Sequence, residues 1–74
     1  MLKQEVVDRV YECIRKHQDE EGLPPTYQII VERTGISLST VLRCIDRLEF
    51  QGKIYVVPNG KPAIRLINGD LREH

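Results

Sequence analysis

This chain has few of the residues that build metal sites, membrane spans and aromatic platforms. Its 74 residues include no tryptophan, one phenylalanine, three tyrosines and two cysteines. No apolar run approaches the roughly 20 residues of a membrane-spanning helix, and charges interrupt the apolar positions of the opening segment MLKQEVVDRV, so we expect neither a membrane span nor a signal peptide. Because a chain this short commits most of its apolar residues to one core, we expect one domain without multistep catalysis.

The two cysteines, Cys13 and Cys44, are far apart in the sequence and lack the CxxC spacing of a zinc site. His17 and His74 do not complete a ligand pattern with them. We therefore expect two small buried or half-buried thiols in a reducing cytoplasm, with no metal and no cofactor.

Net charge is formally zero, which neither indicates nor excludes a nucleic-acid partner. The distribution of charge is more informative. Residues 1–34 carry five basic and seven acidic groups, a balance of −2, whereas residues 35–69 carry five basic and two acidic groups, a balance of +3. Positive charge therefore collects in the second half of the chain.

The first helix is predicted over residues 3 to about 20, where apolar residues recur at a spacing of four. Gly22 permits the helix to end with a positive φ, and Pro24 and Pro25 prevent its continuation. The predicted inner stripe consists of Val6, Val10 and Ile14, widened by Val7 and Tyr11.

A second helix is predicted from Tyr27 to Thr34, with Thr26 as its N-cap. Ile29 and Ile30 are expected to face inward, either together or in turn. Gly35 ends this helix, and the chain then needs only a short turn before the next one.

A third helix is predicted from Leu38 to about Gln51, between an N-cap at Ser37 and a stop at Gly52. Its predicted inner face consists of Val41, Ile45 and Leu48, with Leu38, Leu42 and Cys44 at the margins. Its predicted outer face consists of Ser39, Thr40, Arg43, Asp46 and Arg47.

The pattern then changes to two β-rich runs, residues 53–57 and 63–67. Asn59-Gly60 between them predicts a hairpin, because both residues tolerate positive φ. The expected fold is mainly α with a small β-hairpin, a winged helix-turn-helix over residues 1–69, followed by a short polar tail at 70–74.

The third helix is the element that a helix-turn-helix inserts into the DNA major groove. Short polar groups near its N-terminus, Ser39 and Thr40, can bond to base edges. Arg43 follows one turn later and can donate two parallel hydrogen bonds to guanine, worth about 1–3 kcal/mol of discrimination. We expect these three residues to contact bases.

Contacts to the DNA backbone are expected at the N-terminus of the second helix, at the start and outer face of the third, and at the hairpin tip. Simpler roles stay open: Thr26 as a cap, Tyr27 as a cover for the core edge, Arg47 in an ion pair with Asp46 or Glu49, and Lys61 as a solvent-exposed lysine. The expected backbone contacts are Thr26, Tyr27, Gln28, Ser37, Arg47 and Lys61.

The segments HQDEEGLPPTYQII, TGIS, LRCIDRLEFQGKI and KPAIRLI together resemble the DNA-binding domain of the LexA repressor family. In that family a glycine, a hydrophobic residue, Pro-Pro and Ser or Thr join the first two helices, as GLPPT does here at residues 22–26. The resemblance covers nearly the whole chain. These 74 residues contain no counterpart of the family's C-terminal self-cleaving domain, so the resemblance implies no self-cleavage for them.

This chain departs from the family pattern in its third helix. The family's base-contacting residues, an asparagine and two acidic residues, fall near Ser39, Leu42 and Arg43. The resemblance therefore implies a different operator preference for this chain.

The expected function is sequence-specific binding of double-stranded DNA by a transcription regulator of the repressor type. We expect a single copy to bind DNA with modest affinity and two copies on paired half-sites to bind more tightly. A homodimer on DNA is therefore one arrangement that the sequence allows. The alternative is a winged-helix interaction or dimerisation module with little DNA affinity, which would use Leu38, Leu42 and Phe50. An enzyme is not expected, because no acid, base or metal set converges, and no small-molecule ligand or membrane partner is indicated.

Overall fold

A computed structural model describes residues 2–67. It contains three helices and a two-stranded antiparallel sheet in the order predicted, so the expected winged helix-turn-helix fold is confirmed. The proposed domain end at residue 69 and the tail at 70–74 lie outside the described residues. The elements are α1 (Gln4–Glu21), α2 (Tyr27–Thr34), α3 (Leu38–Phe50), β1 (Ile54–Val56) and β2 (Ile64–Leu66).

The inner stripe predicted for α1 is confirmed at Val10 and Ile14, and Val7, which was predicted to widen it, is also fully buried. Val6 is only half-buried, because it lies at the edge of the face that these residues turn to the core. This face includes His17, whose Nδ1 lies 2.8 Å from the carbonyl oxygen of Leu23. Gly22 ends α1 with φ 81°, as expected. The buried residues of α1 are Val7, Val10, Ile14 and His17.

The bounds of α2 are those predicted from its cap and its glycine. Thr26 Oγ1 accepts a hydrogen bond from the backbone N–H of Ile29 at 3.2 Å, and Gly35 follows the helix with φ 73°. Ile30 is fully buried in the core, whereas Ile29 is half-buried and does not belong to it, so the inward orientation predicted for both isoleucines is confirmed for Ile30 alone.

The third helix is also capped as predicted, since Ser37 Oγ accepts a hydrogen bond from the backbone N–H of Thr40 at 3.4 Å. It ends at Phe50, immediately before Gln51. Cys44 was predicted at the margin, but it is fully buried. The reason is that α3 packs against α1, α2 and β1, so three neighbours cover a wider face than one would. Its buried residues are Val41, Cys44, Ile45 and Leu48.

The wing is an antiparallel pair in which Tyr55 faces Arg65 across the strands. Each strand has three residues rather than the five of the predicted runs, although backbone hydrogen bonds continue just beyond both ends. Ile54 and Ile64 are buried and attach the sheet to the helical core.

The predicted hairpin is present, and one of the two residues that tolerate positive φ uses it at the wing tip. Asn59 adopts φ 64°, whereas Gly60 does not have a positive φ. Gly60 is needed instead for close packing, because a Cβ at this position would lie 3.0 Å from the Pro62 carbonyl oxygen and 3.1 Å from Val57. Its N–H donates to the carbonyl oxygen of Val57 at 2.9 Å, which closes the turn.

Side chains from all five elements meet in one apolar core. Burying this surface is the main favourable term for a domain of this size. Among residues 2–67, no helix is both long enough and apolar enough to cross a membrane.

Candidate nucleic-acid interface

The outer face of α3 carries the predicted base-contacting residues. Residues three or four positions apart share one side of a helix, so Ser39 and Arg43 are neighbours along the side opposite the core. Both are exposed, and Thr40 is half-buried at the edge of this face. The outward orientation predicted from the sequence is therefore confirmed for Ser39 and Arg43, whereas Thr40 is less exposed than predicted.

Three hydroxyl groups lie together at the N-terminus of α3. Ser37 Oγ donates to Thr40 Oγ1 at 3.1 Å and lies 3.4 Å from Ser39 Oγ. Because the first N–H groups of a helix have no partner within the helix, these hydroxyls stand beside free backbone donors. Together, the hydroxyls and the N–H groups can donate hydrogen bonds to the oxygen atoms of phosphates or base edges.

Arg43 and Arg47 are exposed on α3, and neither forms an ion pair with another of residues 2–67. The alternative that Arg47 pairs with Asp46 or Glu49 is not realised, since within residues 2–67 the ion pair below 4.0 Å joins Arg33 to Glu20 instead. Two guanidinium groups therefore remain available to an external anion on this helix.

The N-terminus of α2 carries the second predicted group, and its residues already have structural roles. Thr26 caps the helix, and Tyr27 is half-buried against the core. Gln28 is exposed, with Nε2 donating to Glu32 Oε2 at 3.3 Å. The simpler roles foreseen for Thr26 and Tyr27 are therefore present.

The third predicted group is on the wing, where Lys61 is exposed near the tip. Arg65, by contrast, already has hydrogen-bond partners within the wing, because its Nη1 donates to the carbonyl oxygens of Pro62 and Ile64. Lys53 Nζ lies 5.0 Å from the centre of the Tyr11 ring, a cation–π contact that turns it toward α1. Lys61 is thus the wing cation best placed to reach a partner.

Sequence reasoning missed one residue that positions this interface. Arg9 Nη2 donates to the carbonyl oxygen of Thr34 at 2.9 Å and so ties α1 to the end of α2. The two residues are 25 positions apart, and no local pattern could pair them. Within residues 2–67, no group of three or more His, Cys, Asp or Glu residues is arranged to hold a metal ion.

Comparison with known proteins gives two relatives of the same kind, although no family model matches the chain. Over 68 residues it is 37% identical to the LexA repressor of Caldicellulosiruptor saccharolyticus, covering 90% of this chain and 34% of that repressor. Over 60 residues it is 42% identical to the LexA repressor of Oenococcus oeni, covering 80% of this chain and 28% of that repressor. The chain therefore spans about a third of the curated relatives it matches, and the predicted resemblance to the LexA repressor family is confirmed.

Proposed function

We propose that this chain, which is similar to LexA repressors over most of its length, binds double-stranded DNA sequence-specifically as a transcription regulator of the repressor type. The main support is one observation: Arg43 is exposed on the outer face of α3, one turn after Ser39, and has no ion-pair partner among the residues that the structure describes. A helix-turn-helix places this part of its second helix in the major groove.

Arg43 has the chemistry to identify a guanine, because its guanidinium can donate to O6 and N7 in parallel. Ser39 and Thr40 can donate to or accept from neighbouring base edges. Their hydroxyls rotate freely enough to serve either role, since each carries one donor and two acceptor sites.

The remaining contacts would hold the DNA backbone and set the register of α3 on the duplex. The N-termini of α2 and α3 attract phosphates through free N–H groups and the helix dipole. Arg47 and Lys61 add positive charge on the outer face of α3 and on the wing. The proposed backbone contacts are Thr26, Tyr27, Gln28, Ser37, Arg47 and Lys61.

A single module of this size buries little DNA surface, so two copies on paired half-sites would bind more tightly than one. A homodimer on DNA is therefore part of the proposal. So is a cytoplasmic location, in which the two free thiols, Cys13 and Cys44, would stay reduced.

A selection from random duplex DNA tests the proposal. The wild-type chain should enrich one sequence that contains a guanine, and a palindromic product would indicate two copies. Arg43→Ala should lose the preference for that guanine, whereas Arg15→Ala, which removes an exposed arginine from α1, should keep it. Failure to enrich any sequence would reject sequence-specific binding.

A protein-interaction module is the second candidate, and one observation favours it. Phe50 is 89% exposed at the end of α3, with Leu38 and Leu42 also open to solvent on this helix. Sedimentation at increasing protein concentration distinguishes the two functions. Self-association that Phe50→Ala abolishes and Arg43→Ala leaves unchanged would support the interaction module.

A further inference from the structure

The exposed surface of α3 carries two leucines together with the acidic Asp46 and Glu49 on one side, and the basic Arg47 on the other. With about 100° between successive residues, Leu38 and Leu42 lie on one side of the line through Ser39 and Arg43, and Arg47 lies on the opposite side. Leu38 is 50% exposed and Leu42 is 42% exposed. The helix therefore presents a leucine edge directly beside its polar outer face.

Leu42 has the closer relation to the polar groups. It follows Ser39 by three positions and therefore lies on the same side of the helix, and it directly precedes Arg43. The two residues are adjacent along the helix, where the rise is about 1.5 Å per residue, but their side chains diverge by about 100° around the helix axis. The bases that they reach are therefore near each other in the site without being the same base pair.

The major groove offers one apolar group to such a side chain, which is the C5-methyl of thymine. A polar base edge facing Leu42 would lose its water and gain no hydrogen bond, whereas a methyl group would lose only unfavourable hydration. Leu42 can therefore favour thymine over other bases in two ways. It covers the methyl group of thymine, and it leaves a polar base edge without a hydrogen-bond partner.

We propose that Leu42 contacts the C5-methyl of a thymine within about three base pairs of the guanine bound by Arg43. This inference rests on the proposed function and adds to it the identity of a second base. It makes Leu42 a specificity-determining residue, beside the polar residues assigned to base contact.

Replacing thymine by deoxyuridine tests the contact, because this change removes only the methyl group. Each thymine of the selected duplex is replaced in turn, and the Kd of the wild-type chain is measured. One replacement near the Arg43 guanine should raise Kd about fourfold, the value expected for one buried methyl, while the others leave it unchanged.

The variant Leu42→Ala should bind the thymine and deoxyuridine duplexes with the same Kd. Alanine favours helix, and the replaced side chain is 42% exposed, so circular dichroism should show α3 intact. Phe50→Ala is the matched control, since it removes a larger exposed apolar group from the far end of the same helix. This control should keep the fourfold difference.

Two results would overturn the inference while leaving DNA binding in place. The wild-type chain could bind all deoxyuridine duplexes as tightly as the thymine duplex, or Leu42→Ala could keep the full difference between them. Absence of binding to every duplex would reject the proposed function, and the thymine contact with it.

Discussion

Arg9 donates a hydrogen bond to the backbone carbonyl oxygen of Thr34 across 2.9 Å. Thr34 is the last residue of α2, and the final carbonyls of a helix have no partner within it. Arg9 satisfies one of these carbonyls and places a positive charge at the negative end of the helix dipole. It therefore fixes the point at which the chain turns from α2 into α3.

We expect Arg9→Ala to lower the free energy of unfolding by about 1 kcal/mol, because a charge-assisted hydrogen bond in a solvent-exposed position is lost. Urea unfolding followed by circular dichroism measures this change. Lys16→Ala is the control, since it removes the same charge from α1 at an exposed position. If the two variants were equally stable, the bond from Arg9 would contribute nothing.

The cap of α2 gives a second prediction. Thr26→Ala should cost about 1 kcal/mol of stability, because the N–H of Ile29 loses its acceptor. Thr26→Ser keeps a hydroxyl at this position and should remain close to the wild type. Thermal unfolding of the three proteins checks this, and an equal loss in the serine variant would point to the methyl group rather than the cap.

The wing tip gives a third prediction, in which two neighbouring residues behave oppositely. Gly60→Ala should destabilise the chain by about 1–3 kcal/mol, because its Cβ would crowd Val57 and Pro62. Asn59→Gly should be tolerated, since Asn59 has φ 64°. Amide chemical shifts of β1 and β2 would report the change, and a wild-type spectrum for Gly60→Ala would show that the tip can relax.

The two thiols give a prediction on pH dependence. Burial raises the pKa of Cys13 and of Cys44, and nearby arginines lower each pKa by a smaller amount. The unfolded chain therefore loses these thiol protons first, at about pH 8.5. Their contribution to stability is complete below that pH and is lost as pH rises toward the folded pKa values.

Ultraviolet absorbance of the thiolate measures these titrations directly. The folded chain should titrate at higher pH than the chain unfolded in urea, and Cys13→Ala should leave a single transition from Cys44. Coincident curves for folded and unfolded protein would show that burial does not perturb the thiols.

The helix bounds could be predicted because local chemistry determines them. Thr26 and Ser37 each accept a hydrogen bond from a backbone N–H three residues later, and Gly22 and Gly35 permit the positive φ at which α1 and α2 end. Each of these interactions joins residues no more than four positions apart, so the local sequence was sufficient to predict the helix bounds.

The features that could not be predicted depend on tertiary packing. Cys44 is buried because α3 meets three elements, and Gly60 is constrained by the path of the loop around it. His17 continues the spacing of the buried residues of α1, so a search for polar residues on the inner stripe would have found it. The bond from Arg9 to Thr34 joins distant parts of the chain and leaves no local signal.

The central claim is that α3 recognises base sequence while the surrounding residues hold the DNA backbone. Titrating wild type, Arg43→Ala and Lys61→Ala against the selected duplex and a scrambled duplex over a range of salt concentrations tests it most directly. We predict steep salt dependence throughout, loss of preference for the selected duplex in Arg43→Ala, and equally weakened binding of both duplexes in Lys61→Ala. Equal binding of both duplexes by the wild-type chain, or a preference that Arg43→Ala leaves intact, would contradict it.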